Sequence, residues 1–581
     1  MMTFFYELNK QFAQILYWIF TLELFILIPV ISSDLKGNSM KKIILLVAIL
    51  AVLLSCDKAP EPSEYVRAEG NKIIDGAGNE IFLQTVGLGN WLLPEGYMWK
   101  LGREGDRPRK IEKLISEMIG EEKANEFWQQ FRQNYITEAD IARIKELGFN
   151  GVRPAMNWRL FMDQNGKLKK EGFQLIDDLV EWCNTHQVYI ILDMHGAPGG
   201  QTGANIDDSP NDFPELFSEP KNQKLFIKLW VELAKRYKNE TIIIAYGLMN
   251  EPLPEQFSQF NDQLEPLYKR TVEAIREVDP YHMISLEGAH WSTDFSVFGP
   301  PFDDNVVYQF HKYWSLPDTK SIQQYLDFRE KYDVPLYLGE SGENNLDWYW
   351  IAYQLYKDHN IGWLFWPWKK MDTENTPYSI KKPEGWDNIA AFSRGGDKPP
   401  ADEAEMILNQ FLENIKLENC VYFPDVVNAI FRRVPAKIQA ENYGHLGPGN
   451  SFVLQDTTAK AQFYRVNEPV PIVQLAADTT GRSRRDNAEY GVLLKAGEGL
   501  NYEINSPIDQ VLKALVKVKA VTEEPRIFIV LDQKPIIVSQ NFETGEWYYN
   551  QSTPMTIKTG RHDLKLGVSR GQVIVDWIEI R

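Results

Sequence analysis

A (β/α)8 TIM barrel followed by an all-β sandwich is the architecture this 581-residue sequence predicts, on three observations. From about residue 65 to residue 416, short β-rich apolar runs alternate with amphipathic helical segments, the pattern of parallel strands covered by helices. The runs number eight, at 82–89, 150–156, 189–195, 242–250, 282–287, 305–311, 335–340 and 361–368, which is the count that closes such a barrel. Beyond Leu417 the texture changes: Pro424, Pro435, Gly444, Gly447, Pro448 and Gly449 punctuate short alternating strands such as 512–518, 527–531 and 573–580, as in a sandwich.

Each element has a local reason. Residues 71–83 read as a small hairpin, with Asp75-Gly76 and Gly78-Asn79 supplying the turn, placed to plug the barrel floor. Helical intervals fit between the strands: Ile141, Ile144 and Leu147 share one face, and Leu175, Leu179 and Trp182 recur at helical spacing within 173–183. Since one domain holds about 100 to 250 residues, a chain of this length needs more than one folded unit. The expected division is a barrel over 67–420, a linker at 421–436 and a sandwich over 437–581.

The N-terminus reads as an address. Lys41 and Lys42 precede an apolar run that ends at Leu53-Leu54-Ser55-Cys56, the layout of a secretory signal over 40–56, and it resembles a bacterial lipoprotein signal with Cys56 as the acylated residue. The polar, Pro-containing stretch 57–66 then serves as a tether. Met40 stands where such a signal begins, so residues 1–39 read as an upstream extension; Glu23 interrupts the apolar run there and leaves it marginal for crossing about 30 Å of hydrocarbon. A lipid-anchored chain on the cell envelope, at the outer membrane or cell surface, is the expectation. After processing only Cys183 and Cys420 remain, far apart in sequence, so no disulfide framework is implied.

Composition narrows the partners. With 44% hydrophobic and 24% charged residues the chain can bury a full core. Its 62 basic and 80 acidic side chains leave a net charge of −18, a field that repels nucleic acid and anionic headgroups. A neutral polymer with flat apolar faces, as sugar rings have, suits the 17 tryptophans better.

Barrel chemistry sits where strands give way to the following loops. Two runs end in a carboxylate: 242–249 leads into Asn250-Glu251-Pro252, and 335–339 leads into Glu340-Ser341-Gly342. On the fourth and seventh strands these glutamates lie across the mouth from each other. Facing glutamates are the equipment of glycoside hydrolysis, one protonated to assist the leaving oxygen and the other ionised to attack the anomeric carbon; a separation of about 5 to 5.5 Å means retention of configuration. Asn250 is placed to reach a sugar 2-hydroxyl, and Arg153, in the second strand, to hold Glu340 ionised. Either glutamate alone would read as an exposed loop residue.

These residues carry a resemblance. Asn250-Glu251-Pro252, Leu338-Gly339-Glu340-Ser341, Gly151-Val152-Arg153-Pro154, Asp193-Met194-His195-Gly196 and His311-Lys312-Tyr313, taken together, resemble glycoside hydrolase family 5, a group of retaining β-glycosidases, over roughly residues 70 to 415. The resemblance implies Glu251 as acid/base and Glu340 as nucleophile, with no catalytic cofactor. It implies Arg153, His195, Asn250, His311 and Tyr313 as the polar shell around the cleaved sugar, and Trp366 as the stacking platform, with Trp368 as a nearby substitute. The stretches 87–92, 195–201 and 362–369 resemble the branch containing exo-β-1,3-glucanases, which favours a β-glucan, β-1,3-, β-1,4- or β-1,6-linked, over a mannan. A β-mannanase or a transglycosylase on the same barrel, and a non-catalytic surface glycan-binding lipoprotein, are the rival readings.

In the C-terminal region, 438–443 and 575–578 resemble carbohydrate-binding modules of families 6 and 35. That implies Glu441 and Asp576 as ligands of a structural calcium, hard carboxylate oxygens being suited to it. Where such modules commonly carry a tryptophan and an asparagine, this sequence has the glycines of 496–500 and Ile574. The cluster Trp547, Tyr548 and Tyr549 reads as core.

Overall fold

The computed structural model describes residues 60–458, 461, 464–476 and 489–581. Residues 1–39, the 40–56 signal with Cys56, and the first part of the 57–66 tether lie outside the described residues. No helix among the described residues is long and apolar enough to cross a membrane.

Eight parallel strands close into a barrel: β1 Gln84–Leu88, β2 Gly151–Asn157, β3 Tyr189–Gly196, β4 Ile243–Gly247, β5 Met283–Glu287, β6 Val306–His311, β7 Leu336–Gly342 and β8 Gly362–Trp366, with β8 pairing β1. Every predicted run falls on a strand. β2 and β4 to β8 are buried along their whole length, as strands covered by helices outside and packed side chains inside must be. The fourth run ends early, at Gly247, because the chain leaves the ladder there and turns Glu251 into a left-handed conformation, φ 45°.

The helices follow the sequence signals. Thr137 and Asp140 form a reciprocal capping box that starts Glu138–Glu146, and Lys170–His186 buries Phe173, Ile176, Leu179, Val180 and Cys183 on its inner face. The hairpin pairs Arg67–Glu69 with Lys72–Ile74, a few residues ahead of the expected span, and Asp75 closes the next turn by accepting the amides of Ala77 and Asn79. Tyr65 donates to the carbonyl of Lys238, and the Ala68 amide to Asn305, both residues just before barrel strands, so the hairpin does sit at the floor.

Residues 421–436, expected as a linker, are structured. Val421 and Tyr422 add an edge to the short strand Tyr378–Ile380, and the helix Pro424–Ile430 buries Val426, Val427, Ala429 and Ile430 in the barrel's core. Apolar side chains at helical spacing outweigh the proline signal, which here only starts the helix.

The C-terminal region packs two antiparallel sheets on one core. One runs through 472–476, 489–495, 572–580, 514–520 and 547–551, with 436–439 also pairing 572–580; the other runs through 452–453, 499–506, 560–570, 526–531 and 534–536. Val492, Leu494, Val573 and Val575 of the first meet Leu500, Ile504, Ile529 and Leu566 of the second. Trp350, from the barrel helix Leu346–Asp358, is part of the same cluster. Beside it Glu503 is paired with Lys357 and, at 2.9 Å, with Arg432, so the barrel and the sandwich share apolar and ionic contacts. The aromatic cluster is not core: Trp547 and Tyr548 are half-buried and Tyr549 is 58% exposed, because their strand is an edge.

Glycines at the end of β1 make room for a side chain of the site. A Cβ on Gly87 would stand 2.3 Å from Cε3 of Trp366, and one on Gly89 would stand 2.6 Å from its six-membered ring. Gly87→Ala is therefore expected to cost about 1–3 kcal/mol through overpacking, read as a lower urea midpoint at unchanged slope.

Candidate active site

Seven barrel strands or the loops after them deliver polar groups to one place at the C-terminal mouth. Arg153 comes from β2, Asp193 and His195 from β3, Asn250 and Glu251 from the loop after β4, and Glu287 from β5. Gln309 and His311 come from β6, with Tyr313 following it, Glu340 from β7 and Trp366 from β8. A register shift between Phe310 and His311 opposes His311 to Glu340 and skips Gly339. In a regular strand Gly339 and Glu340 would face opposite sides; the bulge lets both face the mouth. Gly339 must lack a side chain, since a Cβ there would meet Gln309 Oε1 at 2.7 Å and His311 Nε2 at 2.8 Å.

Arg153 is the hub. Its Nη1 donates to Glu340 Oε1 at 2.6 Å, while Nη2 reaches Asn250 Oδ1 and Glu287 Oε1, both at 2.9 Å, and Asp193 Oδ1 at 3.0 Å. With its Oδ1 held by Arg153, Asn250 turns its Nδ2 to His195 Nε2 at 3.2 Å, and His195 donates from Nδ1 to Asp193 at 2.7 Å. The imidazole of His195 stacks on Trp366, ring centres 5.3 Å apart and planes 4° from parallel.

The two glutamates have different surroundings. Glu340 also accepts from the Tyr313 hydroxyl at 2.9 Å, and His311 Nδ1 lies 3.7 Å away. Among the described residues Glu251 bonds only His311 Nδ1 through its side chain, at 2.8 Å, and its backbone amide donates to Glu287 Oε2 at 2.7 Å. One oxygen of each glutamate and a ring nitrogen of His311 lie within 4.8 Å of one another. Burial raises a carboxyl pKa by up to about 3–5 units, and one nearby cation lowers it by about 1–3, so a single cation rarely wins. At Glu340 burial is opposed by His311, Arg153 and His195 together with Tyr313, and its pKa falls below the ordinary value. At Glu251 burial prevails over His311, Glu340 adds repulsion, and the pKa is raised.

By distance alone Glu251, His311 and Glu340 could surround a metal ion. The Arg153 guanidinium on Oε1 of Glu340 and the Tyr313 hydroxyl on Oε2 place one donor on each oxygen, an arrangement that holds a bare carboxylate ionised.

Of the residues singled out in the sequence, Arg153, His195, Asn250, Glu251, His311, Tyr313, Glu340 and Trp366 stand together. Trp368 does not join them: it is buried, with its indole N–H on Asp140 at 2.9 Å beside Lys369 and its ring on Tyr378. Glu441 and Asp576 are in the sandwich. Asp576 is paired with Lys517 at 2.7 Å, and neither acid belongs to a cluster of three or more acidic, His or Cys side chains among the described residues. The ammonium of Lys517 stands against the Asp576 carboxylate that the resemblance assigned to calcium.

Four residues of the site escaped the sequence reading. Glu287 ends an apolar run just as the two glutamates do, and Asp193 lies inside a motif that was quoted for its histidine. Gln309 and Glu95 gave no periodic signal. Burial pushes Glu95 up to about 8, with His195 opposing and Glu340 reinforcing, which puts it within electrostatic reach of the same carboxylates.

Comparison with known proteins concerns the barrel segment. Residues 117–372, within the barrel, match the family model for cellulase, glycosyl hydrolase family 5. It is 34% identical to a β-xylosidase of Phanerodontia chrysosporium, over 43% of this chain and 52% of that protein. It is 28% identical to endoglucanase C of Acetivibrio thermocellus, over 43% and 88%. With a glucan 1,3-β-glucosidase of Candida oleophila it shares 27% identity, over 40% and 56%. The chain thus spans little more than half of the first and third of these relatives.

Replacing Arg153 tests the hub. Arg153→Met leaves Asp193, Glu287 and Glu340 buried without their shared cation and should cost about 3–5 kcal/mol at pH 7. The loss should shrink toward pH 5, where the stranded carboxyls take up protons, and urea melts at the two pH values measure it.

Proposed function

We propose that this protein is a retaining β-glycoside hydrolase acting on a β-glucan, with Glu340 as nucleophile and Glu251 as acid/base. The observation that carries this reading is the pair itself: one oxygen of each carboxyl lies within 4.8 Å of the other, with Glu251 shifted up by burial and Glu340 shifted down by His311, Arg153 and His195. Carboxyls that approach this closely favour direct attack over the water-mediated inverting route, whose carboxyls stand about 6.5–9.5 Å apart.

In the first step Glu340 Oε2 attacks the anomeric carbon as the bond to the leaving oxygen breaks and Glu251 gives that oxygen its proton. The glycosyl ester formed on Glu340 removes a negative charge from the site, and Glu251, now ionised, is stabilised by His311. In the second step Glu251 takes a proton from water, the hydroxide attacks the anomeric carbon, and Glu340 leaves as carboxylate. The two inversions add to retention. Arg153 and Tyr313 fix Glu340 before attack, so little reorganisation is left for the reaction. The names of the relatives, a β-xylosidase and two glucan-cleaving proteins, support a β-linked substrate, and the family supports a glucan.

Glu340→Ala should abolish turnover. Glu251→Ala should slow hydrolysis of a natural glucan by about 10²- to 10⁴-fold, yet slow aryl glycosides with activated leaving groups far less, since they need no proton. Equal losses on both substrates would remove Glu251 from the acid role. The kcat/KM profile should be bell-shaped, falling on the acid side only below the usual carboxylate range, where Glu340 gains a proton, and on the alkaline side above it, where Glu251 loses one. Product analysis on β-1,3-, β-1,4- and β-1,6-glucans and mannan identifies the linkage, and no cleavage of any β-glucan would reject the reading.

A further inference from the structure

Double displacement uses two carboxylates, and this site contains a third in contact with both machinery and backbone. Glu287, at the end of β5, is fully buried, so it acts only through its neighbours. Its Oε1 accepts from Arg153 Nη2 at 2.9 Å and from Gln309 Nε2; its Oε2 accepts the Glu251 amide at 2.7 Å and lies 3.5 Å from His311 Nε2. The far nitrogen of that imidazole bonds Glu251 at 2.8 Å. Glu251 is therefore held from two sides by one residue: its main chain directly, in a left-handed conformation that a non-glycine residue adopts only under constraint, and its carboxyl through His311.

We propose that Glu287 is the positioning residue of the proton-donating arm, anchoring the backbone of Glu251 and holding the charge of His311, the group that receives Glu251 when it ionises. The inference rests on the acid role of Glu251. The charged groups facing Glu287 are Arg153 from β2, Asp193 from β3 and His311 from β6; those facing His311 are Glu251, Glu287 and Glu340. Burial lifts Glu287 to about 7 against the pull of His311 and Arg153, so the anchor is most secure above neutrality, where every donor around it meets an ionised oxygen. A glutamine has only one acceptor oxygen and would turn its own NH2 toward Arg153 and Gln309 or toward the Glu251 amide.

The test uses Glu287→Gln in the full chain, with two readouts. Histidine-selective 15N NMR, the resonance assigned from a His311→Gln variant, should show the His311 titration moving down by about 1 to 3 pH units once the facing carboxylate is gone. Kinetically, kcat on a β-glucan should fall about 10²-fold or more, while kcat on a dinitrophenyl β-glycoside falls less than about tenfold, the signature of a damaged proton donor. Glu287→Asp keeps the charge but shortens the reach; it should restore the His311 titration toward wild type and is the variant to use if the glutamine form does not fold. An unmoved His311 titration, or equal losses on both substrates, overturns the proposal. If wild-type protein cleaves no β-glycoside, the parent reading fails by itself, and the titration still decides whether Glu287 charges His311.

Discussion

The site depends on one buried guanidinium. Arg153 meets Asp193, Glu287 and Glu340 where water cannot reach them, and three carboxylates at that depth cannot all ionise without it. It is fully buried on β2, within reach of acids from β3, β5 and β7. Its second nitrogen also fixes Asn250, which then determines how His195 bonds and so supports the ring stacked on Trp366. A single side chain thus orders charge on one side of the site and side-chain orientation on the other.

Difference between two chemically identical groups is what the arrangement produces. Glu340 is buried and Glu251 largely so, and burial alone would raise both. The tie is broken by unequal company: Arg153 and Tyr313 bond Glu340, whereas Glu251 has only an imidazole that it shares. The shared His311 links the two protonation states, since a proton leaving Glu251 is compensated where Glu340 also feels it.

Around this centre the molecule spends its glycines and bulges on close approach. Gly87 and Gly89 let the Trp366 indole lie on the end of β1, and Gly339 gives His311 and Gln309 the space in which the β7 bulge aims Glu340. The segment after the barrel continues this economy of contact, with the helix Pro424–Ile430 buried in the barrel core and Trp350 reaching into the core of the sandwich.

Much of this was legible in the sequence, because strand burial and helix periodicity are local properties: the eight apolar runs, the helical spacing of Ile141, Ile144 and Leu147 and the acids closing two strands follow from side-chain type and spacing alone. What the tertiary structure decided is non-local. Trp368, two residues from Trp366, faces Asp140 instead of the glutamates, and Glu287, which carries the same strand-end signal as Glu251 and Glu340, proves to bind the backbone of one and the cation of the other. The alternation along a strand cannot announce a bulge, nor can spacing say which acid meets which base, because those outcomes depend on the register between chains of atoms far apart in sequence.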